Sequence, residues 1–372
     1  MLQTPVAVYV HTPFCPSKCG YCDFNSYAMT GEIIERTTAA TIAEIRQSPW
    51  RGRPAKTIFF GGGTPTFLAA EQLTSILKAV MEVHPQTADC EITSEANPGT
   101  VDIPKFSAMI EAGFNRISLG AQSFVPEDLI RLGRVHESTH IGRAVKAARE
   151  AGFKNLNLDL MFALPGQTDK AWEKNLELAL SLKPNHLSLY CLTIEPNTRF
   201  YKAQARGMLH LPEDDIQVRM YETACRMTQE AGLEQYEISN FAQRGLESRH
   251  NLCYWHNEEY LSYGPGAVGC FDEGEIRTRY TNMKHPERYS DAIEQGTKLW
   301  CEHEEIGEES RKLERLMMGL RLNQGVQIPV SDLDQKQLER MMQRDWIRYQ
   351  DEVLSLTPAG RHFCSEVIAE LS

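Results

Sequence analysis

Three cysteines lie within eight residues near the start of the chain, in the segment His11-Thr-Pro-Phe-Cys-Pro-Ser-Lys-Cys-Gly-Tyr-Cys-Asp-Phe24. Cys15, Cys19 and Cys22 form a Cys-x3-Cys-x2-Cys run. Soft thiolates hold iron–sulfur clusters, and a four-iron cubane normally takes four of them. Three local thiolates therefore predict a 4Fe–4S cluster with one iron open to an exchangeable small molecule.

Two other chemistries could use the same cysteines. A zinc knuckle usually has paired Cys-x2-Cys units or cysteine together with histidine, and His11 is not at a standard spacing. A disulfide would leave one thiol over and needs an oxidising compartment, for which the sequence carries no signal. Both alternatives stay open at this point, but the cluster uses all three thiols.

The charge composition limits the classes of molecule that the protein is expected to bind. The 372 residues include 39 basic and 50 acidic side chains, for a net charge of −11, which argues against nucleic-acid or anionic-membrane binding. The N-terminus has no targeting signal, and no apolar run approaches the roughly 20 residues of a membrane helix. We expect a cytoplasmic protein with no stable membrane anchor, which binds small molecules or proteins.

Up to residue 192, short β-rich runs alternate with amphipathic stretches. The predicted strands are Val6–Val10, Lys56–Phe60, Cys90–Ser94, Arg116–Leu119, Asn155–Leu160 and His186–Tyr190. The predicted helices are Glu32–Arg46, Ala70–Val83, Ile103–Ala112, Ile141–Ala151 and Asp169–Leu182. This alternation predicts a parallel α/β sheet, either open or closed into a barrel.

Each unusual motif follows directly after one of these strands. The motifs are the cysteine run, Gly61-Gly-Gly-Thr-Pro-Thr66, Glu95-Ala-Asn-Pro-Gly99, Gly120-Ala-Gln-Ser123, and Asp159 with Leu164-Pro-Gly-Gln-Thr168. In parallel α/β folds the carboxyl ends of the strands build the active site. The loops are therefore expected to converge on one cluster.

Taken in order, these motifs resemble those of the radical SAM proteins related to oxygen-independent coproporphyrinogen III oxidase. The likeness includes Tyr9-Val-His-Thr-Pro-Phe-Cys15 and covers nearly the whole chain. It implies an α/β fold: a partial TIM-like (β/α)6 barrel whose cluster binds S-adenosylmethionine (SAM) through its amino and carboxylate groups. It also implies a reductant, because an electron from the reduced cluster would cleave SAM to methionine and a 5′-deoxyadenosyl radical.

The resemblance assigns the SAM contacts to Tyr9, Gly62, Gly63, Thr64, Glu95, Gln122, Arg134 and Asp159. Glycine lets backbone approach a ligand closely, Arg134 can pair with a carboxylate, and Glu95 can accept from an ammonium or ribose hydroxyl. Taken singly, the glycines could form an ordinary tight turn, and Arg134 and Asp159 could form structural ion pairs.

Two features separate the chain from the oxidase branch. That branch has a fourth cysteine two residues after the third, where this chain has Phe24, and the chain also carries His250-Asn-Leu-Cys-Tyr-Trp255. Both features resemble the haem-chaperone branch of the family. The resemblance implies that haem binds near His250, Asn251, Tyr254 and Trp255, and is passed to an acceptor protein. Imidazole is a good axial ligand for haem iron, and aromatic faces suit a flat macrocycle.

Other functions remain open. The chain could decarboxylate coproporphyrinogen III or be another radical SAM tailoring enzyme, such as a methyltransferase. His250 and its aromatic neighbours could be ordinary packing under a loop. His136-Glu-Ser-Thr-His140 fits the zinc-protease pattern, but Ser138 and Thr139 resemble an N-cap before the helix at 141–151, so the two histidines are expected to straddle a helix start and hold no zinc.

The remainder of the chain predicts a C-terminal α+β extension. We expect a barrel over 1–195, an extension carrying the histidine motif over 196–303, and a small module over 304–372. Predicted helices at Glu308–Leu322 and Gln335–Arg344 precede a hairpin, Trp346–Tyr349 with Val353–Leu356. Helix, helix, hairpin suggests a winged-helix-like module, and the absence of a basic stripe argues against DNA binding.

Overall fold

The computed structural model describes residues 4–371, most of which surround one twelve-stranded sheet. The middle of the sheet consists of six parallel strands in chain order, each paired with the next. They are β1 (Val6–Thr12), β2 (Ala55–Gly62), β3 (Gln86–Ala96), β4 (Arg116–Gln122), β5 (Asn155–Phe162) and β6 (His186–Cys191). The predicted parallel α/β core is confirmed.

Helices connect these strands and pack on one another along the outside of the sheet. They are α1 (Glu32–Arg46), α2 (Ala70–Val83), α3 (Ile103–Ala112), α4 (Pro126–Leu132), α5 (Ser138–Ala151) and α6 (Asp169–Ser181). The short α4 was not predicted. The predicted N-cap of α5 is wrong by one residue, because Ser138 is already helical and Glu137 is the N-cap.

The extension continues the same sheet on both sides. Its elements are α7 (Arg199–Ala205), α8 (Asp214–Glu230), β7 (Glu234–Glu237), β8 (Asn240–Ala242), α9 (Arg249–Trp255), β9 (Tyr260–Tyr263), β10 (Val268–Glu273), β11 (Ile276–Asn282), α10 (Pro286–Gln295) and β12 (Trp300–Ile306). β8 and β7 add antiparallel strands beyond β6, while β9 pairs parallel with β1 and leads to antiparallel β10–β12. The sheet therefore ends at β7 and β12, as a partial barrel does.

The last part of the chain has its own small sheet and its own apolar core, which runs from Leu316 to Leu371. Its elements are α11 (Glu308–Gly319), β13 (Val326–Gln327), α12 (Gln335–Gln343), β14 (Ile347–Gln350), β15 (Val353–Leu356) and α13 (Cys364–Leu371). The predicted hairpin is present and turns at Asp351 and Glu352, both left-handed. β13 adds a third strand, and the winged-helix designation stays a prediction.

The domain boundaries expected from the sequence do not coincide with breaks in the main sheet. The sheet continues past residue 195 into β7–β12, and β12 runs to Ile306, so the expected boundary at 303/304 falls within a strand. Three short 3-10 helices complete the described chain, at Pro65–Phe67, Val330–Asp332 and Gly360–Phe363. Within residues 4–371, no helix is both long and apolar enough to cross a membrane.

The period-two pattern of the strands decides what lies inside the curved sheet. In β4, Ile117 and Leu119 point to the helices and are fully buried in the apolar core. Arg116, Ser118 and Gln122 alternate with them and line an internal cavity. The sheet thus separates an apolar outer layer from a polar interior.

Candidate functional site

The polar interior forms a cavity of about 490 Å³ that receives residues from all six parallel strands or the loops that follow them. Every residue that the sequence predicted for the site lines this cavity except Trp255. They are Tyr9, Cys15, Cys19, Cys22, Gly62, Gly63, Thr64, Glu95, Gln122, Arg134, Asp159, His250, Asn251 and Tyr254. The expected convergence of the loops is therefore observed.

The cysteine loop is closed by its own polar groups. Nζ of Lys18 donates to the carbonyls of Phe24, at 2.7 Å, and Ser26, at 3.1 Å. The N–H of Gly20 donates to the carbonyl of Leu132 at 3.0 Å, which fastens the loop to the end of α4. These bonds turn the loop so that its thiols face the cavity.

All three thiols are free and partly buried, and burial raises the pKa of Cys15 and of Cys22. Sγ of Cys15 lies 3.4 Å from Oγ1 of Thr64. Within residues 4–371, no three His, Cys, Asp or Glu side chains are arranged to hold a single metal ion. A cubane binds each thiolate through a different iron, so it needs thiols spread around a cavity, as these are.

The glycine turn after β2 packs closely against the start of the cysteine loop. Gly62 has φ of 105°, and a Cβ there would lie 2.3 Å from the ring of His11. A Cβ on Gly63 would lie 2.6 Å from the carbonyl oxygen of Phe14. The N–H of Thr64 donates to that same oxygen at 2.7 Å. Close backbone packing requires glycine at 63, whereas the positive φ and the adjacent His11 ring favour glycine at 62. The absence of side chains leaves the turn exposed to the cavity.

A buried hydrogen-bonded chain connects Tyr9 to the extension. Burial lowers the pKa of His11, so its ring is neutral. Nε2 of His11 is 2.9 Å from the carbonyl of Asn25 and donates to it, which leaves Nδ1 to accept from the Tyr9 hydroxyl at 3.0 Å. The side chain of Asn25 donates in turn to the carbonyls of Pro265 and Lys284. The position of the cysteine loop therefore depends on residues more than two hundred positions later.

Two partly buried carboxyl groups lie near each other in the cavity. Glu95 accepts from the N–H of Gly62 at 3.2 Å, and burial, reinforced by the charge of Asp159, raises its pKa to about 8. Asp159 accepts from Oγ of Ser118 at 3.1 Å and from Nδ2 of Asn157 at 2.6 Å, and burial raises its pKa. A cationic ligand with hydroxyl groups would favour the ionised form of both carboxyls.

Arg134 lies beside the cysteine loop. Its Nη2 donates to the carbonyl of Gly120 at 2.8 Å, and its Nη1 is 3.7 Å from Sγ of Cys19. Its Nε is buried and has no hydrogen-bond partner among the described residues. This unused donor fits a ligand carboxylate. Glu95, Asp159 and Arg134 line the same cavity, and their charges match the ammonium, hydroxyl and carboxylate groups of SAM, so the residues present fit that cofactor.

Several polar side chains at the bottom of the cavity were not predicted from the sequence. Arg116 is 2% exposed and its Nε has no hydrogen-bond partner, while Ser118, Asn157 and Ser188 form a hydrogen-bonded group beneath Asp159. The signal was available in the segment Arg116-Ile-Ser-Leu-Gly-Ala-Gln122, where polar side chains and glycine alternate with apolar ones. A strand buried on both faces would have been apolar throughout.

His250 lies at the cavity wall with both ring nitrogens occupied. Nδ1 is 2.8 Å from Oγ1 of Thr57, and Nε2 is 2.9 Å from the hydroxyl of Tyr254. The ring stacks on Phe59, is 1% exposed, and has its pKa lowered by burial to about 3. An iron ligand needs a free nitrogen, so His250 would have to lose one of these bonds. Its predicted haem contact stays a prediction, and the geometry supports a structural role.

Trp255 departs from the prediction, because it lies at the far end of α9 and does not line the cavity. The guanidinium of Arg321, which follows α11, lies 4.6 Å above its ring. Arg321 also pairs with the buried carboxylate of Glu237 at 3.2 Å. Trp255 therefore belongs to the junction between the main sheet and the C-terminal module.

The two histidines of the zinc-protease pattern straddle the start of α5, as predicted. Nε2 of His136 contacts the carbonyl of Ala121 at 3.2 Å, whereas Nδ1 of His140 accepts from the N–H of Glu137 at 3.3 Å. His136 precedes the helix and His140 lies in its first turn. They therefore do not share the helical face that the protease motif requires.

Comparison with known proteins identifies the family. The Radical SAM superfamily model matches residues 9–179, and the HemN C-terminal domain model matches residues 308–363. A Bacillus subtilis protein named heme chaperone HemW is 40% identical over 323 residues, which cover 86% of this chain and 84% of that protein. An Escherichia coli protein of the same name is 42% identical over 289 residues, which cover 76% and 75%.

Among solved structures, the radical SAM enzyme coproporphyrinogen III oxidase (HemN) from Escherichia coli has the same fold, with a TM-score of 0.84 over 99% of this chain and 90% of that one, at 21% identity. The match to the Radical SAM superfamily implies two cofactors, a 4Fe–4S cluster and SAM, and the residues that line the cavity fit both. The chain therefore belongs to the radical SAM superfamily and, within it, to the HemW family.

Proposed function

We propose that this chain binds haem and transfers it to an acceptor protein, and that it carries SAM and a 4Fe–4S cluster in the central cavity. The observation that carries the proposal is the similarity to proteins named heme chaperone HemW over most of both chains. Phe24 supports it, because this side chain replaces the fourth cysteine of the oxidase branch and is 63% exposed beside the cysteine loop.

We assign the cluster to Cys15, Cys19 and Cys22, which leaves one iron for SAM. When bound, the cluster supplies electron transfer to the SAM sulfonium. The protein positions the cofactor: Arg134 pairs with the SAM carboxylate, and Glu95 and Asp159 accept hydrogen bonds from its ammonium and ribose groups. Tyr9, Gln122 and the turn at 62–64 complete the contacts.

The acceptor protein, a reductant for the cluster and a cytoplasmic location are further parts of the proposal. The net charge of −11 supports a protein acceptor over nucleic acid. A reductant is needed because only the reduced cluster can donate an electron.

The test is an anaerobic titration of the cluster-loaded protein with ferric haem, followed by the Soret band, and then addition of an apo-haemoprotein. Saturation at one haem per chain and transfer of the haem to the apo-protein are expected. Weak, unsaturable binding would contradict the proposal. A parallel assay with coproporphyrinogen III, SAM and a reductant tests the enzymatic alternative, because porphyrinogen decarboxylation would show an oxidase.

A further inference from the structure

A second hollow, of about 680 Å³, lies beside the cysteine loop and is separate from the central cavity. It is formed by the segment Met208-Leu-His-Leu-Pro212, which connects α7 to α8, together with Phe200 and Ile216. We call it the 208–212 groove. Its walls are mainly apolar and its size is within the range of small-molecule sites, roughly 300–1,000 Å³.

His210 is the one histidine of this groove and differs from His250 in its bonding. It lies exposed in the loop, and its ring nitrogens have no hydrogen-bond partner within residues 4–371. A metal ligand must present a free imidazole nitrogen. His210 can do so without breaking an existing bond, whereas His250 cannot.

Two further side chains of the groove complement a metal-bearing macrocycle with carboxylates. Met208 is 75% exposed, and its flexible apolar side chain can pack against the face of a macrocycle. Arg131 from α4 lines the other side, and its Nη1 donates only to the carbonyl of Pro165, at 3.0 Å, with Asp128 at 3.7 Å. Its guanidinium is half exposed and can pair with a propionate.

The groove also touches the cysteine loop. The N–H of Phe200 donates to the carbonyl of Gly20 at 3.0 Å, and the Phe200 ring packs so closely that a Cβ on Gly20 would lie 2.7 Å from it. Gly20 lies between Cys19 and Cys22. An occupant of the groove would therefore rest on a ring that supports the cluster loop.

We propose that the 208–212 groove is a haem-binding site, with His210 as an iron ligand and Arg131 as the partner of a propionate. This inference rests on the proposed function and names where the transported haem is held. It separates haem from the central cavity, which the cluster and SAM occupy.

The test compares wild type with His210→Gly, His250→Ala and His303→Ala in the full-length, cluster-loaded protein, titrated anaerobically with ferric haem. His303 is exposed on β12, so its variant controls for haem bound unspecifically by surface histidines. Loss of the axial ligand is expected to weaken binding by at least about tenfold in His210→Gly and to shift the Soret band. Added imidazole should restore the wild-type spectrum.

The outcomes are distinguishable from failure of the proposed function. If wild type binds no haem, the proposed function fails and the inference fails with it. If wild type binds haem and His210→Gly binds it equally well with an unchanged spectrum, the proposed haem transport stands, but the assignment of the haem site to the 208–212 groove is wrong. Loss of haem binding in His250→Ala alone would indicate that haem binds in the central cavity. If His210→Gly binds haem as wild type does but transfers it more slowly, the groove would bind an apolar segment of the acceptor instead of haem. That result would also contradict the proposed haem site.

Discussion

The guanidinium of Arg134 bridges the cluster loop and the sheet, with Nη1 3.7 Å from Sγ of Cys19 and Nη2 donating to the carbonyl of Gly120 at 2.8 Å. The third nitrogen, Nε, is buried and unpaired. One side chain thus fixes where the loop approaches β4 and retains a donor for a ligand. This arrangement uses the planar fork of arginine, which lysine does not have.

Arg134→Lys is therefore expected to weaken SAM binding while the cluster still forms. Lysine keeps the charge but cannot contact Cys19, Gly120 and a carboxylate together, so a loss of about 2 kcal/mol, or roughly thirtyfold in Kd, is expected. Calorimetric titration of the reconstituted variant with SAM measures it. Arg143→Lys, on the exposed face of α5, is the matched control, and an unchanged Kd in Arg134→Lys would remove Arg134 from the site.

Cys19→Ser should abolish the iron–sulfur absorption after anaerobic reconstitution. A serine hydroxyl is a poor substitute for a soft thiolate, and no other thiol follows at the same spacing. Cys301→Ser serves as the control, since Cys301 is exposed on β12 and its Sγ only contacts backbone carbonyls. A complete four-iron cluster in Cys19→Ser would show that the ligand assignment is wrong.

Gly63→Ala is expected to displace the cysteine loop. The new Cβ would lie 2.6 Å from the carbonyl oxygen of Phe14 and 2.8 Å from that of Thr12, and both are backbone atoms that cannot rotate away. Overpacking of this kind costs about 1–3 kcal/mol. Urea unfolding measures the loss of stability, and the cluster content after reconstitution measures the displacement of the cysteine loop.

The matched control is Gly142→Ala in α5, where nothing lies within 4 Å of the added Cβ. Alanine favours the helix there by up to about 1 kcal/mol, so stability should hold or rise. If Gly63→Ala were equally stable and bound a complete cluster, the close approach of the turn to the loop would not be required.

The local pattern predicted the six parallel strands, because each is a short β-rich run bounded by turn residues and followed by a helix. It left an open sheet and a barrel undecided, and the partial barrel was implied only by the family resemblance. The local pattern also predicted that the cysteine run, the glycine turn and Glu95 would meet, since the carboxyl ends of parallel strands share one edge. These features depend on local pattern and on one topological rule.

The features that were missed depend on contacts distant in sequence. The antiparallel strands β10–β12 are as long as β4 and β6, but they mix charged and polar residues with apolar ones, so they carry no strong apolar run. Trp255 does not line the central cavity beside Tyr254, because α9 turns it by about 100° toward the C-terminal module. Its haem contact stays a prediction. Arg321, the partner that holds Trp255, lies 66 positions later in the chain.

Glu95 should make the stability of the cluster-free, SAM-free protein depend on pH. Its pKa in the folded chain is about 8, above the ordinary value, so the folded chain retains a proton that the unfolded chain releases. The stabilising contribution is complete below the unfolded pKa, about 4.3, and is lost as pH rises to about 8. Glu95→Gln should reduce the decrease in the free energy of unfolding between about pH 5.5 and 8 by at least about 1 kcal/mol.

Asp159 also has a raised pKa, so part of the slope should remain in Glu95→Gln. Glu111→Gln, on the exposed surface of α3, should leave the whole slope in place. Denaturant titrations at several pH values measure the difference. A slope in Glu95→Gln identical to that of wild type would mean that Glu95 is already ionised in the folded protein.

The junction between the main sheet and the C-terminal module depends on Arg321. Its partner Glu237 is fully buried, and it also accepts from the N–H of Ser239 at 3.0 Å and from Asn240. Arg321→Met would leave this carboxylate buried without its counter-charge and would remove the cation over Trp255. A loss of about 2–3 kcal/mol is expected, because the two remaining donors compensate in part.

Arg340→Met provides the comparison within the same module, because the pair of Arg340 with Glu370 is largely exposed and should contribute less than about 1 kcal/mol. Urea unfolding of both variants measures the difference. The double variant Glu237→Gln with Arg321→Met should recover most of the lost stability, since it removes the unpaired charge together with its partner. Equal stability of Arg321→Met and Arg340→Met would mean that the buried carboxylate is protonated and needs no counter-charge.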